Sequence, residues 1–148
     1  MTSLDEMVQE LWDRDRIGRL ARAYARGVDR RDWALVRSCF ADEAVVEGTR
    51  SNGPIDAYLA ELRPGVERFA STMHVMANQL IDLDGDRGAM ETYAVAFHWV
   101  ATPAGTAHAD NLVVGVRYHD EVVRRGDGWV ITHRRVSGDW QVSGGSDG

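Results

Sequence analysis

Apolar residues in the first thirty positions recur at spacings of three and four, which is the pattern of one face of an α-helix. The residues are Met7, Val8, Leu11 and Trp12, then Ile17, Leu20, Ala21, Tyr24 and Val28. They predict a long amphipathic helix over Asp5–Val28, with a break near Gly18. A short helix over Trp33–Phe40 is expected to follow, with Asp32 as its N-cap.

Strand and turn signals come next. Residues 44–48 have strand character, and the turn "NGP" at 52–54 precedes the helical stretch "IDAYLAEL", which Pro64 is expected to end. The second half is rich in β-branched and aromatic residues, and it is divided by the turn signals "DGDR", "PAGT" and "GDG". This pattern predicts four long strands, over 73–83, 88–102, 107–124 and 129–142. Because the short connections leave no room for crossover helices, we expect an antiparallel meander and an α+β fold.

The two faces of the strand over 88–102 differ in character. The even positions carry mostly small side chains, and the last of them is a histidine: Met90, Thr92, Ala94, Ala96 and His98. The odd positions are mostly large: Glu91, Tyr93, Val95, Phe97 and Trp99. The small face leaves space for a ligand pocket, whereas the large apolar face predicts a covering partner, either another copy of the chain or a helix. On the strand over 73–83, the alternation places Met76, Asn78 and Leu80 on the face of His74.

Size and charge narrow the class of protein. A chain of 148 residues that is 44% hydrophobic suits one domain, which we place at 1–142, with a disordered tail over 143–148. The net charge of -6 argues against nucleic acid or a membrane as a partner. The single cysteine, Cys39, excludes an intrachain disulfide. With no secretory signal and no apolar run long enough to span a membrane, a cytoplasmic location is expected.

Standard cofactor and hydrolase motifs are missing from the sequence. It contains no GxGxxG, GxxxxGK[ST], GxSxG or HExxH motif. The five histidines are spread over several strands without an HxH pair. We therefore expect an activity that needs neither a cofactor nor a metal.

Asp29 and His74 form the candidate pair for chemistry. Asp29 follows the apolar stripe at the C-terminal end of the first helix, where the helix dipole disfavours a carboxylate. A carboxylate bound to one imidazole nitrogen would fix the tautomer and make the other nitrogen a general base. From spacing alone, two alternatives stay open: Asp29 as a turn residue that ends the helix, and His74 as a hydrogen-bonded core histidine.

Three segments carry a resemblance to a known family. They are "IGRLARAYARGVDRRDWALVRSCFADEAVVEG", "HVMANQLIDLDGDRGAMETY" and "GVRYHDEVVRRGDGWVITHRRV". Together they resemble the SnoaL-like, polyketide-cyclase-like group of the nuclear transport factor 2-like superfamily. The resemblance implies a cone-shaped α+β barrel, in which N-terminal helices pack on a strongly curved antiparallel sheet around a deep pocket.

The resemblance also implies roles for individual residues. Scytalone dehydratase, the bile-acid dehydratase and the lindane dehydrochlorinase share an Asp–His dyad that matches Asp29 and His74 here. By the same resemblance, His98, Tyr24 and Arg134 are candidate catalytic residues, with Arg135 in place of Arg134 if the register is shifted by one residue. Asn111 matches the pocket asparagine of scytalone dehydratase. Apart from the resemblance, we expect the side chains of Met76, Phe69 and Trp140 to contact the substrate and set its specificity. The sequence departs from scytalone dehydratase at Val28 and Ala109, where that enzyme has a tyrosine and a serine, so its substrate does not carry over.

The resulting functional hypothesis is a cofactor-independent lyase of the dehydratase or β-elimination type, acting on a small hydrophobic cyclic substrate. An isomerase or aldol cyclase would use the same base and donors. A non-catalytic ligand-binding protein and the small subunit of a ring-hydroxylating oxygenase are also compatible with the sequence. The resemblance further implies a homo-oligomer, a trimer or a dimer, formed through the outer face of the sheet.

Overall fold

Three helices come first in the computed structural model, which describes residues 2–103 and 107–144. They are α1 (Leu4–Arg30), α2 (Trp33–Ser38) and α3 (Ile55–Glu67). Ser3 caps α1 through a reciprocal capping box with Glu6. The expected break near Gly18 is wrong, because α1 is continuous there. Gly18 instead allows a close approach to the sheet, since a Cβ atom at this position would lie 3.0 Å from Oε1 of Gln79.

Within the described residues, six strands form one mixed sheet. They are β1 (Phe40–Glu47), β2 (Asn52–Pro54), β3 (Ser71–Asp84), β4 (Arg87–Trp99), β5 (Leu112–Arg125) and β6 (Gly128–Ser143), in the order β2-β1-β6-β5-β4-β3. The predicted meander is confirmed for β3 to β6. The expectation of a wholly antiparallel sheet is wrong, because β1 pairs in parallel with β6. The sheet is open, with β2 and β3 at its edges, and the α+β fold with helices packed on the sheet is confirmed.

Several element boundaries also differ from the prediction. Helix α2 ends at Ser38 rather than Phe40, β1 begins at Phe40 rather than at residue 44, and residues 52–54, expected as a turn, form β2. Helix α3 continues through Pro64 to Glu67, so Pro64 does not end it. The strand expected from residue 107 begins at Leu112. At the other end of the chain, β6 reaches Ser143, and the amide of Gly144 donates a hydrogen bond to the carbonyl of Asn111. The remainder of the predicted tail, 145–148, lies outside the described residues.

A β-bulge in β3 decides which side chains reach the interior. The pairing with β4 shifts between Met76 and Gln79, which adds a residue to one strand and reverses the alternation beyond it. Gln79 therefore points inward, where its amide donates to Oγ1 of Thr92, while Leu80 is 67% exposed. The prediction that Asn78 and Leu80 share the face of His74 is wrong for this reason.

The core lies between the helices and the even-numbered face of β4, the face on which the sequence predicted space for a pocket. Met90, Thr92, Ala94 and Ala96 are all buried. On the opposite face, Tyr93 is exposed and the rings of Phe97 and Trp99 stack. No helix within the described residues has the length and hydropathy needed to cross a membrane.

Candidate active site

Asp29 and His74 are in direct contact. Asp29 lies one residue before the end of α1, and His74 lies near the start of β3. Nδ1 of His74 is 2.7 Å from Oδ1 of Asp29, and the imidazole side chain is 8% exposed. Within the part of the chain that the structure describes, the ring makes no other hydrogen bond, so Nε2 has no protein partner there. His74 itself does not line the mouth cavity described below. The arrangement fits a carboxylate that fixes the histidine tautomer and leaves the second nitrogen to act as a base.

Further donors hold the Asp29 carboxylate in place. The backbone N–H of His74 donates to Oδ2 at 2.8 Å, and the Thr72 hydroxyl donates to Oδ1 at 3.0 Å. Burial raises the pKa of Asp29, but the hydrogen bonds from the ring and backbone of His74 outweigh it, so the pKa lies below its ordinary value. The carboxylate is therefore ionised at neutral pH.

Arg31 anchors this arrangement from behind, a role that the sequence reasoning missed. Its Nη1 donates to Oγ1 of Thr72 at 2.9 Å and to the carbonyl of Val28 at 2.8 Å, and its Nη2 donates to the carbonyl of Phe69 at 3.2 Å. The residue has a left-handed backbone conformation (φ 59°) just after α1. Thr72 precedes His74 by two residues and could have been found from the strand alternation, whereas only the fold brings Arg31 to it.

Beside the dyad lies a cavity of about 230 Å³, here called the mouth cavity. Its lining includes Tyr58, Leu62, Val66, Phe69, His98 and Leu112. The ring of His98 contacts Phe69 at a centroid distance of 4.9 Å and meets His74 edge to face at 5.8 Å. Thus His98 and Phe69 line the cavity, and the ring of His74 contacts both His98 and the dyad aspartate. The predicted roles of His98 and Phe69 stay predictions. Tyr58 is a lining residue that the sequence reasoning missed, although it shares an apolar helical face with Ile55 and Leu62.

His98 is neutral at pH 7. Burial is the main cause that lowers its pKa to about 4, and the neighbouring His74 contributes to the same shift. Nδ1 of His98 is buried and has no hydrogen-bond partner among the described residues. The ring can therefore polarise a bound carbonyl as a neutral donor, but it is a poor source of a proton at neutral pH.

This depressed pKa predicts a pH-dependent stability. Between pH 6.5 and about 4, the unfolded chain binds a proton at His98 that the folded chain does not. The free energy of unfolding should therefore decrease as the pH is lowered through this window. His98 contributes at most about 1.4 kcal/mol per pH unit to this decrease. We expect His98→Gln to remove that contribution in urea unfolding measured at pH 4.5 to 7. Equal slopes in the two proteins would contradict the prediction.

Tyr24 and Arg134 lie in a second, buried cluster and do not line the mouth cavity. Arg134 binds both carboxylate oxygens of Asp120, at 2.7 and 2.8 Å, and both side chains are fully buried. The guanidinium carbon lies 4.3 Å from the ring centroid of Tyr24 and 4.5 Å from that of Tyr118. Burial raises the pKa of Tyr24 well above its ordinary value. The catalytic roles of Tyr24 and Arg134 stay predictions.

The other predicted contacts occupy different places. Asn111 is buried just before β5, and its Oδ1 accepts a hydrogen bond from the amide of Val100 at 3.1 Å, so it organises the strand connection. Met76 packs against the core. Trp140 is 49% exposed and lines a neighbouring hollow of about 420 Å³ rather than the mouth cavity. Substrate contact by these three residues stays a prediction.

Other parts of the surface offer less chemistry. A hollow of about 440 Å³, larger than the mouth cavity, lies at the hairpin end of β3 and β4, and none of the predicted site residues lines it. No group of three or more His, Cys, Asp or Glu side chains that could hold a metal ion occurs within residues 2–103 and 107–144. Cys39 is buried, which raises the pKa of its thiol to about 11.

Most of the chain matches one known protein family in sequence. Residues 9–135 match the sequence model described as a SnoaL-like domain. No curated protein is a significant sequence match.

Solved structures agree in fold. The Kfla4162 protein of Kribbella flavida is 24% identical and superposes with a TM-score of 0.79, over 91% of this chain and 96% of its own. A scytalone dehydratase candidate from Novosphingobium aromaticivorans is 18% identical, with a TM-score of 0.80 over 93% and 91% of the two chains. The hexachlorocyclohexane dehydrochlorinase LinA-type3 of Novosphingobium barchaimii is 17% identical, with a TM-score of 0.75 over 92% of each chain.

Proposed function

Because the chain belongs to the SnoaL-like domain family, we propose that it is a cofactor-independent lyase whose general base is His74. The observation that carries the proposal is the 2.7 Å contact between Asp29 and His74, with Nε2 of the imidazole left without a partner in the described structure. The dehydrochlorinase and the dehydratase candidate among the structural relatives support an elimination. The substrate we propose is a small, largely apolar cyclic carbonyl compound, in keeping with the lining of the mouth cavity.

The proposed reaction is the loss of water from a β-hydroxy carbonyl compound. Nε2 of His74 removes the proton on the carbon next to the carbonyl, and neutral His98 donates a hydrogen bond to the carbonyl oxygen as negative charge develops. The C–O bond to the β-hydroxyl then breaks, and His74 returns its proton to the departing oxygen. The products are water, the unsaturated carbonyl compound and a neutral His74.

The nearest rival function is an isomerase or aldol cyclase that uses the same proton transfer without losing a group. A protein that only binds its ligand is a second rival, since fold does not fix function. Hydrophobic binding alone gives no reason for a buried carboxylate to orient an imidazole. The dyad therefore favours an enzyme.

Proton transfer can be tested without the natural substrate. Cyclohexanone, 2-tetralone and 3-hydroxycyclohexanone would be incubated with the protein in D₂O, and exchange of the α-protons followed by NMR. We expect faster exchange than in buffer, together with cyclohexenone formation from 3-hydroxycyclohexanone. Exchange without cyclohexenone would select the isomerase or cyclase. Rates equal to those in buffer for all three compounds would contradict a general base.

We further propose that the chain self-associates through the outer face of the sheet. Strands β3, β4 and β6 each expose large apolar side chains on this face: Met73, Val75, Tyr93, Trp140 and Val142. A patch of this kind favours a covered surface. Light scattering should give a mass two or three times the 16.5 kDa of one chain. The Val75→Arg variant should have the mass of a single chain. A wild-type mass of 16.5 kDa would disprove self-association.

A further inference from the structure

Two arginines stand at the rim of the mouth cavity. Arg50 belongs to the connection between β1 and β2, and Arg68 follows α3 directly. Both side chains are exposed, and within the described residues neither forms an ion pair, although the chain as a whole is acidic. The guanidinium carbon of Arg68 lies 4.6 Å from the ring centroid of Phe69, so its charge sits over the apolar lining.

The charges at this rim do not cancel. Glu61 is the acidic residue in the lining, against the two guanidinium groups of Arg50 and Arg68. The hydroxyls of Thr49 and Ser51 lie beside Arg50 in the same lining. A net charge of one positive unit matches a singly charged carboxylate better than a phosphate dianion. A guanidinium binds a carboxylate through two parallel hydrogen bonds, and unpaired cations at a cavity mouth attract anions from solution.

The interior of the cavity has the opposite character. Leu62, Val66, Phe69 and Leu112 give it an apolar lining. A molecule that fits both parts has an apolar ring directed towards His98 and an anionic group at the rim. The volume of about 230 Å³ limits that ring system to a small one.

We propose that the substrate is a small cyclic carboxylate, whose anionic group is bound at the rim by Arg50 and Arg68. The proposal rests on the lyase function above, because it names the class of compound that reaches His74. It adds a specificity that the dyad alone does not provide. Neutral cyclic compounds of the same shape would be poorer ligands.

The experiment compares two probes of equal shape, 2-naphthoate and the neutral 2-naphthamide. Binding to the wild-type protein is measured by naphthalene fluorescence at pH 7.5 and low salt. We expect naphthoate to bind about tenfold more tightly than naphthamide, as charge-assisted hydrogen bonds would give. The double variant Arg50→Gln/Arg68→Gln should bring the two affinities within about twofold, and added salt should reduce the wild-type preference.

Arg87→Gln is the matched control. Arg87 is an exposed arginine without an ion pair in the described structure, and it is the first residue of β4, away from the mouth cavity. This variant should keep the tenfold preference. Circular dichroism would verify that each variant is folded.

Three outcomes would overturn the proposal: no binding of naphthoate, equal binding of both probes to wild type, or a preference that survives in the double variant. The readout is binding and involves no proton transfer. Loss of the charge preference together with intact α-proton exchange would therefore reject the substrate class and leave the lyase proposal standing. A charge preference that depends on the two arginines, found without any α-proton exchange, would reject the lyase proposal and leave an anion-binding cavity.

Discussion

Replacing His74 with alanine is expected to reduce enzyme-catalysed exchange of the α-protons of 2-tetralone by about a hundredfold or more, the usual contribution of a positioned general base. The physical reason is the removal of the nitrogen that accepts the proton. Asp29→Asn should give a smaller loss, since the imidazole stays in the site but the carboxylate that fixes its tautomer is gone. The exchange rates of the wild type, His74→Ala and Asp29→Asn are measured by NMR at equal protein concentration and pD 7.5.

His133→Ala is the matched control for this loss. His133 is a histidine of β6 whose Nε2 lies 3.3 Å from Oε2 of Glu47. Its side chain is 35% exposed and does not line the mouth cavity. Its replacement should leave the exchange rate within about twofold, as expected of a surface residue away from the site. Equal losses in His74→Ala and His133→Ala would mean that the decline reflects folding, and an unchanged rate in His74→Ala would rule out the proposed base.

Much of this site could be predicted because it depends on local periodicity. The end of the helical stripe places Asp29 at the C-terminus of α1, and the alternation of β4 places Ala94, Ala96 and His98 on the interior face. His74 lies directly opposite Ala96 in the sheet, so a small residue leaves room beside the imidazole. The period of each element placed these residues on their faces. The contact between Asp29 and His74 was implied only by the family resemblance, since spacing alone left other roles open for both residues.

The inferences that failed depend on pairing between distant segments. The bulge after Met76 reverses the alternation of β3, and no residue type at that point announces it. The parallel pairing of β1 with β6 joins segments more than 80 residues apart. Arg31 likewise contributes through the carbonyl of Phe69 and the hydroxyl of Thr72, both of which reach it only in the folded chain.

The surroundings of Arg134 in the structure differ from the role that the family resemblance implies for it. Resemblance makes it a candidate for holding negative charge on the substrate. In the structure its guanidinium is already bound by Asp120 through two hydrogen bonds and enclosed by the rings of Tyr24, Tyr118 and Phe40. Nη1 of Arg134 is buried without a partner within the described residues. Such a pair is costly to break, because either charge alone would be stranded in the core.

Asp120→Asn is therefore expected to lower the free energy of unfolding by about 3–5 kcal/mol, measured by urea denaturation at pH 7. Asp139→Asn is the matched control. It removes a carboxylate from a half-exposed pair with Arg117, and we expect a loss below about 1 kcal/mol. Replacing both partners, as in Asp120→Leu/Arg134→Met, should recover most of the loss, since no unpaired charge is left inside. Equal losses for Asp120→Asn and Asp139→Asn would show that the buried pair stabilises the fold no more than a surface pair, and would make Arg134 a group that is free to bind a substrate.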